Sequence, residues 1–176
     1  MQHRAAFLDR DGILNRCEVR DGKPYAPRSL KDFRLLPGVA GAVRDLKSVG
    51  LLVIVVTNQP DIGNGRTDLV VVEAMHDKLR RAMPIDGVMM CPHRQDEGCD
   101  CRKPRPGMLL RAAKQWNINL KKSFMVGDRW SDVVAGQAAE CYTLFVDRSY
   151  KETRLATPDN YVRSLVSATR LILSLI

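Results

Sequence analysis

A chain of 176 residues can bury one full core but is too short for two ordinary domains, so a single domain over 1–176 is expected. Lys and Arg outnumber Asp and Glu by 28 to 20, a formal charge of +8, and 45% hydrophobic residues exclude a disordered basic tail. The charge therefore sits on a folded body and points to an anionic partner, which composition alone leaves open between nucleic acid, an acidic membrane surface and a small phosphorylated molecule.

Met1-Gln2-His3-Arg4 leads straight into an apolar strand predicted over 5–8, with no apolar leader or cleavage site. The longest apolar run, 51–56, is far too short for a membrane span, so a cytoplasmic protein that does not bind membranes is expected. Residues 16–32 fit neither helix nor strand and read as an insertion. Pro37-Gly38 opens a helix through Val39, Val43 and Leu46 that stops at Gly50. After the strand at 51–56, Asp68 is positioned to cap a helix running through Leu79 to Met83, where Pro84 breaks it. A strand at 87–90 leads into a second insertion, 92–105. Pro106-Gly107 starts a helix carrying Met108, Leu109, Ala112 and Trp116, with Asn117 as terminator. A strand at 124–126, a short helix at 131–139 and a strand at 142–146 follow. Ser164 caps a last helix with Leu165, Leu171, Ile172 and Ile176 near one face. Strands alternating with helices predict an α/β fold built on a doubly wound parallel sheet.

Such sheets bind ligands beyond the carboxyl ends of their strands, so the residues that follow each strand are the ones to read for chemistry. The first strand is followed by Asp9-Arg10-Asp11-Gly12. Two carboxylates two residues apart can serve as nucleophile and general acid/base, with Gly12 allowing a sharp exit, although the same residues also describe a solvated turn. Thr57-Asn58 offers a hydroxyl and backbone N–H groups to phosphate oxygens, or simply turns the chain. Gly127-Asp128 puts a second acid at the same edge, and Asp132 follows as either a functional group or a first-turn helix acid. Arg102-Lys103-Pro104 supplies cations, or a solvated basic loop.

Five cysteines are an odd number, and Cys91-x-His93 with Cys99-x-Cys101 gathers three of them with a histidine in eleven residues. That is a Cys3His set with the stoichiometry of tetrahedral Zn2+ and no open position, in a reducing compartment. A closed site of this kind is structural, and its expected task is to fix the loop 91–101 that delivers Arg102 and Lys103. Cys141 lacks ligand spacing and reads as a small packing residue. His3 reads as a terminal residue and His76 as a helix-surface residue. Met75, Met83, Met89, Met90 and Met108 read as core. Trp116 is expected to pack a helix end, and Trp130, next to Asp128-Arg129, is a candidate to line a pocket.

Acids after strand one, Thr after strand two, Lys before a late helix and Gly-Asp after the next strand follow the order of the haloacid dehalogenase superfamily of phosphotransferases, which the chain resembles over nearly its whole length. More narrowly, FLDRDGILN, VVTNQ, CPH with CDCRKPRPGM, and MVGD resemble the heptose bisphosphate phosphatases, and histidinol-phosphate phosphatases share much of the pattern. The resemblance implies that Asp9 attacks phosphorus while Asp11 protonates the leaving sugar oxygen and then activates water. It implies that Thr57 and Lys103 hold phosphate oxygens, and that Mg2+ is held by Asp9, Asp128 and the backbone carbonyl of Asp11, with Asp132 orienting the site. It also places substrate contacts at Asn15, Cys17, Arg20, Asn58, Gln59, Arg102 and Arg129. The substrate implied is D-glycero-D-manno-heptose 1,7-bisphosphate, losing its 7-phosphate in the supply of activated heptose for surface polysaccharide. The pattern departs from the family where Pro60 replaces a serine, Asn64 an arginine and Arg129 a common lysine; Arg66 is a candidate to take over part of the missing cation's task. No large cap domain is expected, since both insertions are loop-sized, nor any oligomer. The alternatives are another small-phosphomonoester phosphatase, such as one for histidinol phosphate, and a basic zinc-containing nucleic-acid-binding module. The second leaves the ordered acids unexplained and lacks the aromatic residues for stacking on bases.

Overall fold

The computed structural model describes residues 2–176. Strands β1 (Ala5–Leu8), β4 (Leu52–Asn58), β5 (Gly87–Cys91), β6 (Phe124–Gly127), β7 (Tyr142–Val146) and β8 (Asn160–Val162) form one parallel sheet in the order β5-β4-β1-β6-β7-β8. A separate antiparallel hairpin, β2 (Glu18–Arg20) and β3 (Lys23–Tyr25), occupies the first insertion, and among the described residues no larger cap covers the sheet edge. The helices are α1 (Val39–Ser48), α2 (Pro60–Gly63), α3 (Leu69–Ala82), α4 (Gly107–Gln115), α5 (Trp130–Ala138) and α6 (Leu165–Leu175). Among the described residues, no helix is long and apolar enough to cross a membrane.

The apolar strands are explained by burial on both faces. Along β1, Ala6 and Leu8 face a core with Val43 and Leu46 of α1, Met75 and Leu79 of α3, and Ile172 of α6. Ala5 and Phe7 face the opposite core, with Met108, Leu109 and Ala112 of α4 and Ala135 of α5. β4 repeats the alternation, with Val53 and Val55 on the first face and Ile54 and Val56 on the second. Phe7 is fully buried, and its truncation to Ala would cost about 3–5 kcal/mol in transfer and cavity terms. Trp116 packs at a helix end as expected, its ring against the bare Cα of Gly87. Gly50 and Asn117 take positive φ after α1 and α4 (80° and 49°), so both terminators behave as predicted.

Several expectations are corrected. β4 extends through Thr57 and Asn58, because these residues continue the parallel ladder opposite Met90 and Cys91. Asp68 stands at the start of α3 but makes no side-chain cap bond, whereas Ser164 accepts from Ser167 N as predicted. Ile176 lies beyond α6 and is 43% exposed. His76 is not on a helix surface: it shares the buried face of α3 with Val72, Met75 and Leu79. Trp130 stacks on Phe145 at 4.2 Å between ring centroids and lines a cavity of about 210 Å3 that borders Asp128, separate from the larger site cavity described below.

Candidate active site and thiol cluster

The chain runs from β1 to β4 and β5 on one side, then crosses by α4 to β6 on the other, so the switch in direction falls at β1. The carboxyl ends of β1, β4 and β6 deliver Asp9, Thr57 and Asp128 to this point. Gly12 (φ 89°) turns the chain away from β1, and any Cβ there would lie 1.7 Å from Asp128 Oδ2. Glycine is required at this position for both conformation and space.

Asp9, Asp128 and Asp132 bring carboxylate oxygens within 4.8 Å of one another, and all three are buried. Lys103 is buried among them. Its Nζ donates to Asp9 Oδ1 at 2.7 Å and to Val56 O at 2.7 Å, and it forms a close ion pair with Asp132 Oδ1 at 2.6 Å. Burial opposes the lysine's charge, but Asp132 and Asp9 outweigh it and hold its pKa above the ordinary value. The acids are less well compensated. Burial, reinforced by Asp132 and Asp11 and only partly offset by Lys103, pushes Asp9 up to about 7. Burial and the charges of Asp9 and Asp132 raise Asp128 well above the carboxylate range, and its Oδ1 is buried without a partner while Oδ2 accepts from Tyr150 at 2.8 Å. Three buried acids against one ammonium, with an orphaned carboxylate oxygen, fit a hard divalent cation such as Mg2+. Asp132 has two tasks. Its Oδ2 accepts from Arg129 N at 3.0 Å at the start of α5, while Oδ1 meets Lys103.

Asp11 stands apart from this cluster. Its carboxylate receives Asn15 Nδ2 at 2.9 Å, Gln59 Nε2 at 2.7 Å and a fork from Arg10 at 3.0 to 3.2 Å. Asp9, Asp11, Lys103, Asp128 and Asp132 open on one cavity of about 510 Å3, also lined by Cys17, Asn58, Gln59, Arg66, Arg102 and Arg129. Burial, followed by the charges of Asp11, Asp128 and Asp9, raises the Cys17 thiol far above its ordinary pKa.

Four residues with expected contacts sit differently. Asn15 is fully buried behind Asp11, and Thr57 lies behind Gln59, whose Nε2 donates to its hydroxyl at 2.8 Å; neither lines the cavity. Arg20 pairs with Glu18 (Nε to Oε1, 2.7 Å) beside a neighbouring cavity of about 290 Å3 on the hairpin. Asn58 does line the site, but its amide is spent on the backbone of Lys103: Nδ2 donates to Lys103 O at 3.0 Å and Oδ1 accepts from Lys103 N at 3.1 Å. This two-bond clamp escaped sequence reasoning, since nothing in the chain pattern pairs residues 45 apart. Arg102 retains a buried guanidinium nitrogen without a partner, whereas Arg129 is tied to Glu152 Oε2 at 2.6 Å.

The second cluster gathers Cys91, His93, Cys99 and Cys101 as the spacing predicted. The sulfurs lie 3.2, 3.5 and 3.6 Å apart, and His93 Nδ1 is 3.1 Å from Cys101 Sγ and 3.5 Å from Cys91 Sγ. No pair forms a disulfide. Thiolates about 2.3 Å from a tetrahedral Zn2+ are roughly 3.8 Å apart, so the four donors fit that ion after slight expansion. The loop is anchored to α2 by Gly63 N donating to Pro92 O at 3.0 Å, and it leads directly to Arg102 and Lys103.

A doubly wound sheet with this acid and lysine set at its switch point defines a HAD-type hydrolase, and a profile of the HAD-hydrolase-like family matches residues 100–168. The chain is 36% identical over 151 residues to the D-glycero-β-D-manno-heptose-1,7-bisphosphate 7-phosphatase of Pseudomonas aeruginosa, covering 83% of this chain and 82% of that one. The Pasteurella multocida enzyme of the same name is 39% identical over 148 residues, covering 78% and 77%. A crystal structure of the D,D-heptose 1,7-bisphosphate phosphatase of B. bronchiseptica, complexed with magnesium and phosphate, superposes with a TM-score of 0.86 at 28% identity, covering 98% and 99%. The chain belongs to the heptose-1,7-bisphosphate 7-phosphatase family.

Proposed function

We propose that the protein is a Mg2+-dependent phosphomonoesterase that removes the 7-phosphate of D-glycero-D-manno-heptose 1,7-bisphosphate to leave the 1-phosphate. The observation that carries this reading is the Asp9, Asp11, Lys103 and Asp128 constellation around one cavity, in a chain of that family. Asp9 Oδ attacks phosphorus as the bond from phosphorus to the sugar oxygen breaks, and the Asp11 carboxyl proton passes to that oxygen. Asp11, now a carboxylate, takes a proton from the water that attacks phosphorus, and the bond to Asp9 breaks. The three donors to Asp11 hold it for both transfers. Lys103, fixed by its clamp to Asn58, offsets phosphate charge, and Thr57 acts through Gln59 or after a rearrangement that uncovers its hydroxyl.

Asp9, Asp128 and the backbone carbonyl of Asp11 would hold Mg2+, which when bound neutralises charge on the acids and on the phosphoryl oxygens. Cys91, His93, Cys99 and Cys101 would hold Zn2+, a closed site that supplies rigidity to the loop. The unpartnered nitrogen of Arg102, with Arg66 and Arg129 on the same cavity, supports a doubly phosphorylated substrate. Action as a monomer is part of this reading, and five cysteines without a disulfide support a reducing cytoplasm. The product fits a place in activated-heptose supply.

A phosphate-release screen across both anomers of the heptose bisphosphate, histidinol phosphate and hexose phosphates tests the reading. Preference for a heptose bisphosphate, abolished by EDTA and restored by Mg2+, is expected. Preference for histidinol phosphate would replace the substrate, and salt-dependent DNA binding without phosphate release would replace the class.

A further inference from the structure

Behind the Arg10 fork on Asp11 runs a line of polar groups that no step above uses. Arg10 lies between the two catalytic acids in sequence, yet its side chain is fully buried, with its guanidinium carbon 5.5 Å from the centre of the Phe33 ring. Nε and Nη2 form a fork on the Asp11 carboxylate at 3.0 to 3.2 Å. The remaining end, Nη1, lies 3.2 Å from His76 Nε2. A guanidinium can only donate, so Nε2 must accept, and the imidazole is neutral with its proton on Nδ1. Nδ1 in turn lies 3.3 Å from Glu73 Oε1, which accepts its hydrogen bond. Burial and the Arg10 charge both hold His76 below its ordinary pKa, in keeping with the neutral ring.

The geometry points to His76 as a positioning residue for Asp11: by anchoring Nη1 of Arg10 it fixes the plane of the fork, and so the orientation in which Asp11 hands its proton to the leaving oxygen. Asn15 and Gln59 each hold one oxygen of Asp11, whereas Arg10 meets both and sets the carboxylate plane. Without an acceptor at His76, a buried charged donor is left unpaired and the guanidinium turns toward another partner, taking the fork with it. Glu73 completes the chain by fixing the imidazole tautomer.

The inference rests on Asp11 acting as general acid, and leaving-group dependence separates the two claims. The leaving sugar oxygen needs a proton, whereas p-nitrophenolate does not. The kcat/KM values for heptose bisphosphate and p-nitrophenyl phosphate both report the step that forms the aspartyl-phosphate. His76→Leu is expected to lower the sugar-phosphate value about tenfold and the aryl-phosphate value less than about twofold, with His76→Gln, whose amide oxygen can accept from Arg10, within about threefold of wild type on both. Glu73→Ala, at a half-exposed position, repeats the test without touching the core and is expected to give about a threefold selective loss. Asp11→Asn serves as reference. If it shows the selectivity but the His76 and Glu73 variants lose both activities equally, the positioning role is overturned alone. Equal losses in Asp11→Asn overturn the general-acid reading, and the inference with it.

Discussion

The acid and thiol clusters are built in opposite ways. Asp9, Asp128 and Asp132 come from the ends of two strands and the first turn of a helix, and Asp9, more than 100 residues before the other two, meets them only because the sheet places them together. Cys91, at the end of β5, and His93, Cys99 and Cys101, in the loop that follows, fall within eleven residues. The acid cluster is therefore rigid but electrostatically strained without a cation, with Asp9 and Asp128 pushed toward protonation by burial. In the thiol cluster only Cys91 belongs to the sheet, so on the proposed reading the rest would depend on a bound ion for shape. A pre-formed acid site suits an ion that exchanges with water and phosphate, while a loop-borne closed site suits one that stays.

The contrast can be broken at four places, from the largest effect to the smallest. Asp9→Asn removes the attacking oxygen and is expected to lower phosphate release at least about 10⁴-fold while leaving zinc content, measured by mass spectrometry of the metal, unchanged. Cys99→Ser or Cys101→Ser should instead lose the zinc, and turnover should fall about a hundredfold because Arg102 and Lys103 follow the loop directly. Normal kinetics in a zinc-free variant would separate the two regions altogether. Asn58→Ala removes both bonds to the Lys103 backbone, about 1–2 kcal/mol of positioning, and should lower kcat/KM about tenfold with both metals retained. The smallest effect is on stability. Asp9 binds a proton up to about 7 in the folded chain but only to 3.8 when unfolded, so its contribution is complete below 3.8 and is lost as pH rises through about 7; Asp128 acts in the same direction. In EDTA, Tm should therefore fall by about 3 °C more between about pH 5.5 and 8 than it does in saturating Mg2+. Parallel curves would mean that the cation does not relieve these acids.

The same difference governs what the sequence could reveal. The thiol set was legible because its ligands are sequence neighbours. The acids could be named from the ends of predicted strands, and grouped with Lys103 through the family resemblance. Their partners were hidden: Asn58 clamps Lys103 across 45 residues, and Arg10 reaches His76 across 66. A signal for His76 did exist, since Val72, Met75 and Leu79 put it on the apolar face of α3. The hairpin was missed because Glu18-Val19-Arg20 is exposed throughout and shows no apolar alternation, although Asp21-Gly22, both at positive φ, is a typical tight-hairpin turn. β8 was missed because three residues at the sheet edge, Asn160-Tyr161-Val162, carry too short a pattern to stand out.

The central claim is that this site cleaves a particular ester of a particular bisphosphate. Phosphorus NMR of D-glycero-D-manno-heptose 1,7-bisphosphate incubated with the Mg2+-loaded protein reads that directly. The 7-phosphate resonance should disappear as inorganic phosphate grows while the anomeric 1-phosphate persists, and none of this should occur with Asp9→Asn. Loss of the anomeric phosphate first, or an unchanged spectrum with the wild-type protein, would contradict the account.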